Sequence, residues 1–255
     1  MPSAAILREL RLRVAGLERG TAAKEAPEGQ RSLALRIAVI DRTLPGGGLA
    51  LGALHEIAGA GPEVEHGTAA ALFIAGLLAP LRGPVLWALA QPDLFAPALA
   101  TVGLSPRRVV YVEAGTSVLL AMEEGLRQKG LAGVVGEVEK LGLTASRRLQ
   151  LAARASGTIA FALRRSRRFE DPALNEPSAA ATRWRIASLP SPPPLPNAPE
   201  TPGLARARWR LDLVRARGAE PGSWIVEACD AKGRLALAAD LADGSAMPAE
   251  RHGVG

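Results

Sequence analysis

Residues 40–69 read IDRTLPGGGLALGALHEIAGAGPEVEHGTA. Three glycines, Gly46 to Gly48, lie near the start of the stretch, and a turn that begins at Gly61 lies near its end. From Leu33 onward, apolar runs of strand length alternate with longer stretches that have helical periodicity. This alternation starts within residues 40–69, and it determines the fold class that the rest of the chain must satisfy.

The alternation continues through the next hundred residues. Predicted helices lie at 66–80, 94–102, 117–129 and 144–155, and β-prone runs lie at 84–90, 107–113, 131–138 and 157–163. The runs VLWALA and GVVGEV are almost continuously apolar, as expected for strands that helices cover on both faces. The sequence therefore predicts an α/β fold with a doubly wound, mostly parallel sheet and helices on both faces.

The pattern changes after Leu163. Residues 164–181 begin with RRSRRFEDP and predict a mobile loop. Residues 189–203 contain seven prolines and predict an extended surface loop, because proline excludes both helix and interior strand. Four segments with period-two alternation predict antiparallel strands that extend the sheet, at 182–188, 207–216, 223–229 and 234–240.

We divide the chain into five parts on this basis. Residues 1–30 hold a predicted amphipathic helix and a linker, and the helix is open to two readings, packing onto its own domain or docking on a partner. The other parts are the core at 31–188, the proline-rich loop at 189–203, C-terminal antiparallel strands at 204–241 that continue the core sheet, and a flexible tail at 242–255.

Composition limits the classes of function. Hydrophobic residues make up 48% of the 255 residues, enough for a sizeable core, and the net charge of +6 favours nucleic acid or an acidic protein as partner. One cysteine, Cys229, excludes an internal disulfide, and the three histidines lack metal-ligand spacing. No apolar run spans a bilayer and no signal-peptide core is present, so we expect a cytoplasmic protein without metal or cofactor.

Residues 40–69 resemble the entry to the RecA core. Several matches occur in order within 30 residues, namely Asp41, Gly46 to Gly48, Gly52, Glu56, Ile57, Gly61, Pro62 and Glu63. The resemblance implies a RecA-like fold in which the turn at Gly61 occupies the position of the phosphate loop.

The phosphate loop itself is degenerate. A working loop needs a second glycine, a lysine for the terminal phosphates, and a serine or threonine for magnesium. Aligned from Gly61, these positions hold His66, Gly67 and Thr68, so that only the last is retained. We expect no tight nucleotide binding through a loop that has lost its fixed positive charge.

Three more RecA positions have changed. Gln91 stands where a catalytic glutamate would activate water, and an amide is no general base. Gly136 stands at the position of the magnesium-holding carboxylate, and Arg164 at that of the nucleotide-sensing polar residue. Glu137 is one residue off, so we expect it on the opposite side as a solvated strand-end carboxylate, although a register shift of one would recover it.

The segment EVEKLGLTASRRLQLAARASG, at 137–157, is similar to the ImuA family, as are PDLFAPALATVGL, the hairpin ARWRLDLVRARGAEPGSW and the proline-rich insertion. The resemblance covers about residues 30–240. It implies a non-catalytic accessory protein of SOS mutagenesis, DNA repair and translesion synthesis. The implied partners are an ImuB-type relative of Y-family polymerases and an error-prone C-family DNA polymerase, with RecA as a further candidate.

Two surfaces follow from these readings. Trp184, Trp209, Arg210 and Trp224 form a candidate partner interface, because tryptophan and arginine are enriched at interfaces. A second reading is a DNA-binding module with a phosphate-contact set consisting of Arg147, Arg148, Arg154, Arg164, Arg165, Arg167 and Arg168. A third is a SulA-like inhibitor of cell division, which capture of a division protein would distinguish from an adaptor.

Overall fold

The structure is a computed structural model that describes residues 31–166, 171–195, 198 and 200–238. The predicted N-terminal helix and linker lie outside the described residues, as does the tail after residue 242. The same holds for Arg167 and Arg168 of the candidate DNA-contact set.

In the described chain, strands and helices alternate from Leu54 to Arg164, and strands alone follow from Thr182. The helices are α1 (Ala38–Asp41), α2 (Glu63–Leu78), α3 (Ala96–Thr101), α4 (Val118–Arg127) and α5 (Leu143–Ser156). The strands are β1 (Ser32–Leu33), β2 (Leu49–Ala50), β3 (Leu54–Gly59), β4 (Val85–Leu89), β5 (Val109–Glu113), β6 (Gly133–Val138), β7 (Ile159–Arg164), β8 (Thr182–Leu189), β9 (Arg208–Ala216), β10 (Gly222–Glu227) and β11 (Ala236–Leu237).

Nine of these strands form one sheet, in the order β11-β10-β9-β8-β3-β7-β6-β4-β5. The six strands from β8 to β5 in this order pair in parallel, and β8 to β11 pair antiparallel. The predicted mostly parallel sheet with antiparallel C-terminal strands is therefore confirmed. Because parallel strands share one direction, the turns after β3, β4, β6 and β7 meet at a single edge, which we call the carboxyl edge.

Two apolar layers hold the sheet between helices. On one face, Phe73 and Ile74 of α2 pack with Trp87, Phe161 and Trp184 of the sheet. On the other face, Met122 of α4 and Leu149 of α5 pack with small strand residues such as Ala160 and Ala162. Residues on both faces of β6 and β7 are buried, which explains why their sequences are not amphipathic.

Residues 171–181, which precede β8, do not form the mobile loop that the sequence predicts for 164–181. Residues 171–181 include a 3-10 turn at Pro172–Asn175, and Ser178, Ala179 and Ala180 are buried. The Ser178 hydroxyl donates to the Glu56 carboxylate over 2.7 Å. This part of the predicted loop is ordered because its polar groups complete a network inside the core.

No helix among the described residues is both long and apolar enough to cross a bilayer.

Candidate functional site: the degenerate phosphate loop

The turn between β3 and α2 is too short to be a phosphate loop. β3 ends at Gly59 and α2 begins at Glu63, so only Ala60, Gly61 and Pro62 connect them. Glu63, which precedes the predicted helix at 66–80, is a helical residue here, as are His66, Gly67 and Thr68. The first helical amide, that of Glu63, donates to the carbonyl oxygen of Ser166 over 3.0 Å. The helix N terminus therefore faces a carbonyl of its own chain where a phosphate oxygen would be held.

His66 lies against the turn between β3 and α2, and this turn would have to be open for a nucleotide to enter. Its ring contacts Gly61, since a Cβ at Gly61 would lie 3.1 Å from the His66 Cδ2 atom. Its Nδ1 atom accepts a hydrogen bond from the Ser188 backbone N–H at 3.2 Å. His66 thus connects α2 to β8 and closes the space behind the turn.

A guanidinium occupies the centre of the carboxyl edge. Arg165 directly follows β7, and it forms ion pairs with Glu63, with Asp93 at 2.6 Å and with Glu137 at 2.7 Å. The hydrogen bonds to Asp93 raise the pKa of Arg165 above its ordinary value, with a further contribution from Glu137. The guanidinium is therefore permanently charged and held by groups from α2, from the turn after β4 and from β6.

The expectation for Glu137 is wrong. Its side chain is only 3% exposed, and it accepts hydrogen bonds from Trp87 Nε1 at 3.1 Å and from Arg165. Burial raises the pKa of Glu137, and the bonds from Arg165 oppose that rise. Gly136 faces the other way, because a Cβ there would collide with the Met122 sulfur on α4. Glu137 is thus the carboxylate that points toward the degenerate loop, as the shifted register allows.

Gln91 lies in the turn after β4, exposed, and lines the same cleft as Thr68 and Glu137. Its amide has no proton-accepting nitrogen, so the cleft has no general base at this position. Across the described residues, no group of three or more histidine, cysteine, aspartate or glutamate residues is arranged to hold a metal ion.

Arg164 belongs to a buried cluster on the opposite face of the sheet. Its side chain is fully buried and pairs with Glu56, and it also donates to the carbonyls of Glu139 and Ala173. Arg183 donates to the other Glu56 oxygen at 2.9 Å. Two guanidinium groups therefore share one carboxylate in the core, which ties β3, β7 and β8 together.

These positions correct the candidate DNA-contact set. Arg164 is buried and reaches no phosphate, and Arg165 is 19% exposed and held by three carboxylates. Arg148 is exposed but pairs with Glu123. Arg147 and Arg154 of the set remain exposed on α5. The described members are therefore divided among the core, the carboxyl edge and α5, and they do not form one surface.

The candidate partner interface is also divided. Trp184 is fully buried and Trp209 is 3% exposed, and both rings pack against Phe73 in the core. Trp224 is half-buried and tilted over Trp184, with ring centroids 6.1 Å apart. Arg210 is exposed on the opposite face of β9 from Trp209. The prediction that the tryptophans form a surface is wrong for Trp184 and Trp209, because period-two alternation turns them inward.

Sequence reasoning missed three charged residues of this region. Asp93 gave no signal, because a carboxylate in a turn is usually solvated. Glu56 and Arg183 did give one, since each is a charged residue inside a strand in which most residues are buried. Such a residue is seldom buried without a partner of opposite charge.

Comparisons with known proteins find two relatives and a similar solved structure. No protein-family model matches the chain. Two relatives, each named Protein ImuA, from Caulobacter vibrioides strains NA1000 / CB15N and ATCC 19089 / CIP 103742 / CB 15, are 42% identical over 202 residues. The match covers 75% of this chain and 81% of each relative.

Among solved structures, that of the RadB recombinase superposes with a TM-score of 0.53 at 17% identity. It covers 79% of this chain and 97% of the recombinase chain, and it establishes a RecA-like fold without bearing on activity. The identity to the Caulobacter proteins extends over most of both chains. The chain belongs to the ImuA family.

Proposed function

We propose that this chain is a cytoplasmic, non-catalytic adaptor of damage-inducible translesion synthesis, which binds an ImuB-type protein and an error-prone C-family DNA polymerase in SOS mutagenesis and DNA repair. The observation that carries the proposal is the Arg165 cluster. Where a RecA-like ATPase holds phosphates, this chain has a three-residue turn and an arginine bound by three of its own carboxylates. Because function resides in the sites that a fold carries, a RecA-like fold without a nucleotide site must act through its other surfaces.

The C-terminal strands offer the surface for the ImuB-type partner. Arg210 and Val214 are exposed on β9, on the face that points away from Trp209, and Ile225 lies beside Arg210 on β10. We call Arg210, Val214 and Ile225 the open sheet face. Arginine is one of the residue types that are enriched in the energetically important part of an interface.

Affinity capture tests this proposal. The purified chain is immobilised and exposed to a nuclease-treated lysate of its DNA-damaged host, in wild-type form and as the Arg210→Glu variant. We expect the wild type to recover the ImuB-type protein and the polymerase, and the variant to recover about tenfold less, because the exposed charge is reversed within the contact.

Arg127→Glu is the matched control, since Arg127 is also an exposed arginine beside a carboxylate but lies on α4. Equal loss with both variants would show that the open sheet face is not the contact. Recovery of a division protein in place of the polymerase system would instead favour the SulA-like reading.

A DNA-binding role is a second candidate, and the edge opposite the carboxyl edge favours it. Four exposed basic residues lie just before the parallel strands β4, β5, β6 and β7, namely Arg82, Arg107, Lys129 and Arg154. These strands are adjacent, so the four residues line one edge over roughly 14 Å at the usual strand spacing. Among the described residues, none of the four has an ion-pair partner.

Anisotropy of a labelled single-stranded oligonucleotide measures this role. We expect the double variant Arg82→Glu, Arg154→Glu to weaken binding and to lower the slope of log K against log salt by roughly one for each lost phosphate contact. The control Arg210→Glu, Arg234→Glu changes two exposed arginines, one on β9 and one in the connection between β10 and β11. An equal effect of both double variants would mean that binding reflects net charge alone.

A further inference from the structure

The degenerate site is an open cleft with apolar walls and charged side chains on its floor. It encloses about 580 Å³, within the range of ligand-binding sites. Leu72 of α2, Leu94 and Leu99 line its walls. Two more apolar residues stand at its rim almost unprotected from solvent, Val64 at 97% and Phe95 at 71% exposure. Exposed apolar side chains around a cleft are typical of a surface that binds another molecule.

The charge of the cleft has the wrong sign for a nucleotide. Of the described residues that line the cleft and the adjoining recess of about 400 Å³, six are carboxylates and two are cations, a net charge of minus four. The carboxylates are Glu63, Asp93, Glu137, Glu139, Asp171 and Glu176, and the cations are Lys140 and Arg165. A chain of net charge +6 thus presents an acidic region at its carboxyl edge, which repels polyphosphates and attracts cations.

We propose that this cleft binds a basic peptide segment of a partner protein, with one large apolar side chain between the walls and adjacent arginine or lysine side chains over the carboxylates. The inference rests on the proposed adaptor function and gives the adaptor a contact separate from the open sheet face. Charge complementarity selects the partner, because six of the described residues that line the cleft and the adjoining recess are carboxylates and two are cations. The rim residues Val64 and Phe95 supply the apolar contact.

Arg165 positions this site. It holds Glu63, Asp93 and Glu137 together and leaves their combined charge negative. The Glu63 and Asp93 side chains are 26% and 46% exposed, so solvent reaches both carboxylates beside Arg165. The cluster therefore prearranges carboxylates for a basic side chain, so that less ordering is required when the peptide binds.

The test uses the purified, isotope-labelled chain and two acetylated, amidated peptides, LFRR and LFEE, followed by backbone amide NMR. We expect LFRR to shift the amides of Val64, Gly67 and Ala98 and to bind about tenfold more tightly than LFEE, with the difference lost at high salt. Magnesium ATP should leave the same amides unshifted, because the edge repels polyphosphate. Absence of LFRR binding, equal binding of LFEE, or shifts at Gly67 with magnesium ATP would each overturn the proposal.

Two matched variants distinguish binding in the cleft from nonspecific binding to exposed apolar side chains. Phe95→Ser removes an exposed apolar side chain at the rim, and Leu151→Ser removes one that is 66% exposed on α5, outside the cleft. We expect the first to weaken LFRR binding by about tenfold and the second to leave it unchanged. If capture of the ImuB-type protein succeeds while LFRR fails to bind, the cleft is refuted and the adaptor function stands.

Discussion

Replacing Glu56 with glutamine is expected to lower the free energy of unfolding by about 3 to 5 kcal/mol. Glu56 is 1% exposed and accepts from Arg164, from Arg183 and from the Ser178 hydroxyl. A neutral amide would leave two guanidinium groups in the core without a counter-charge, and nothing in the network replaces the lost ion pairs. Urea unfolding followed by tryptophan fluorescence measures the change.

Glu227→Gln is the control for this substitution. Glu227 pairs with Arg206, but its side chain is 33% exposed, so solvent screens the pair and the expected cost is about 0 to 1 kcal/mol. If Glu56→Gln and Glu227→Gln lower the free energy of unfolding equally, water must reach the Glu56 cluster. The network would then not be what holds β3, β7 and β8 together.

Trp209→Ala is expected to cost about 3 to 5 kcal/mol of stability. The Trp209 ring meets Phe73 edge-on, with centroids 6.4 Å apart, and belongs to the apolar layer between α2 and the sheet. Removing it creates a cavity in a layer that also holds Trp184. The same urea measurement applies, with the m-value compared to confirm that both proteins unfold in one step.

Tyr111→Ala provides the contrast. Tyr111 lies on the edge strand β5 and is 36% exposed, so we expect a loss of less than about 1 kcal/mol. An unchanged stability for Trp209→Ala, together with loss of partner capture, would restore Trp209 to the interface that its residue type suggested.

The elements of the sheet were predictable from local pattern. β4 and β6 are short apolar runs between helical stretches, and their predicted ranges, 84–90 and 131–138, contain the observed strands. The period-two segments likewise contain β9 at 208–216 and most of β8. These predictions succeeded because a strand that is buried on one face alternates apolar and polar residues, and a strand that is buried on both faces is a continuous apolar run.

The site was predictable only in part. Gly67 and Gln91 are enough to indicate a degenerate phosphate loop, because each stands where the chemistry needs a charged side chain. The start of α2 at Glu63, three residues earlier than predicted, was not visible, because the helical pattern of 63–65 is the charged sequence EVE. That early start is what removes the loop and places Glu63 beside Arg165.

The sequence by itself determined the alternation of strands and helices, the family and the absence of the phosphate-loop lysine, because each of these can be recognised from residues that are close together in the chain. Only the tertiary structure decided where the charged side chains lie and which partners they have. Arg164 and Arg165 are adjacent in the chain, yet the first lies in the core with Glu56 and the second at the carboxyl edge with Glu63, Asp93 and Glu137. The physical reason is that consecutive strand residues point to opposite faces, and their partners arrive from strands and turns that are distant in sequence.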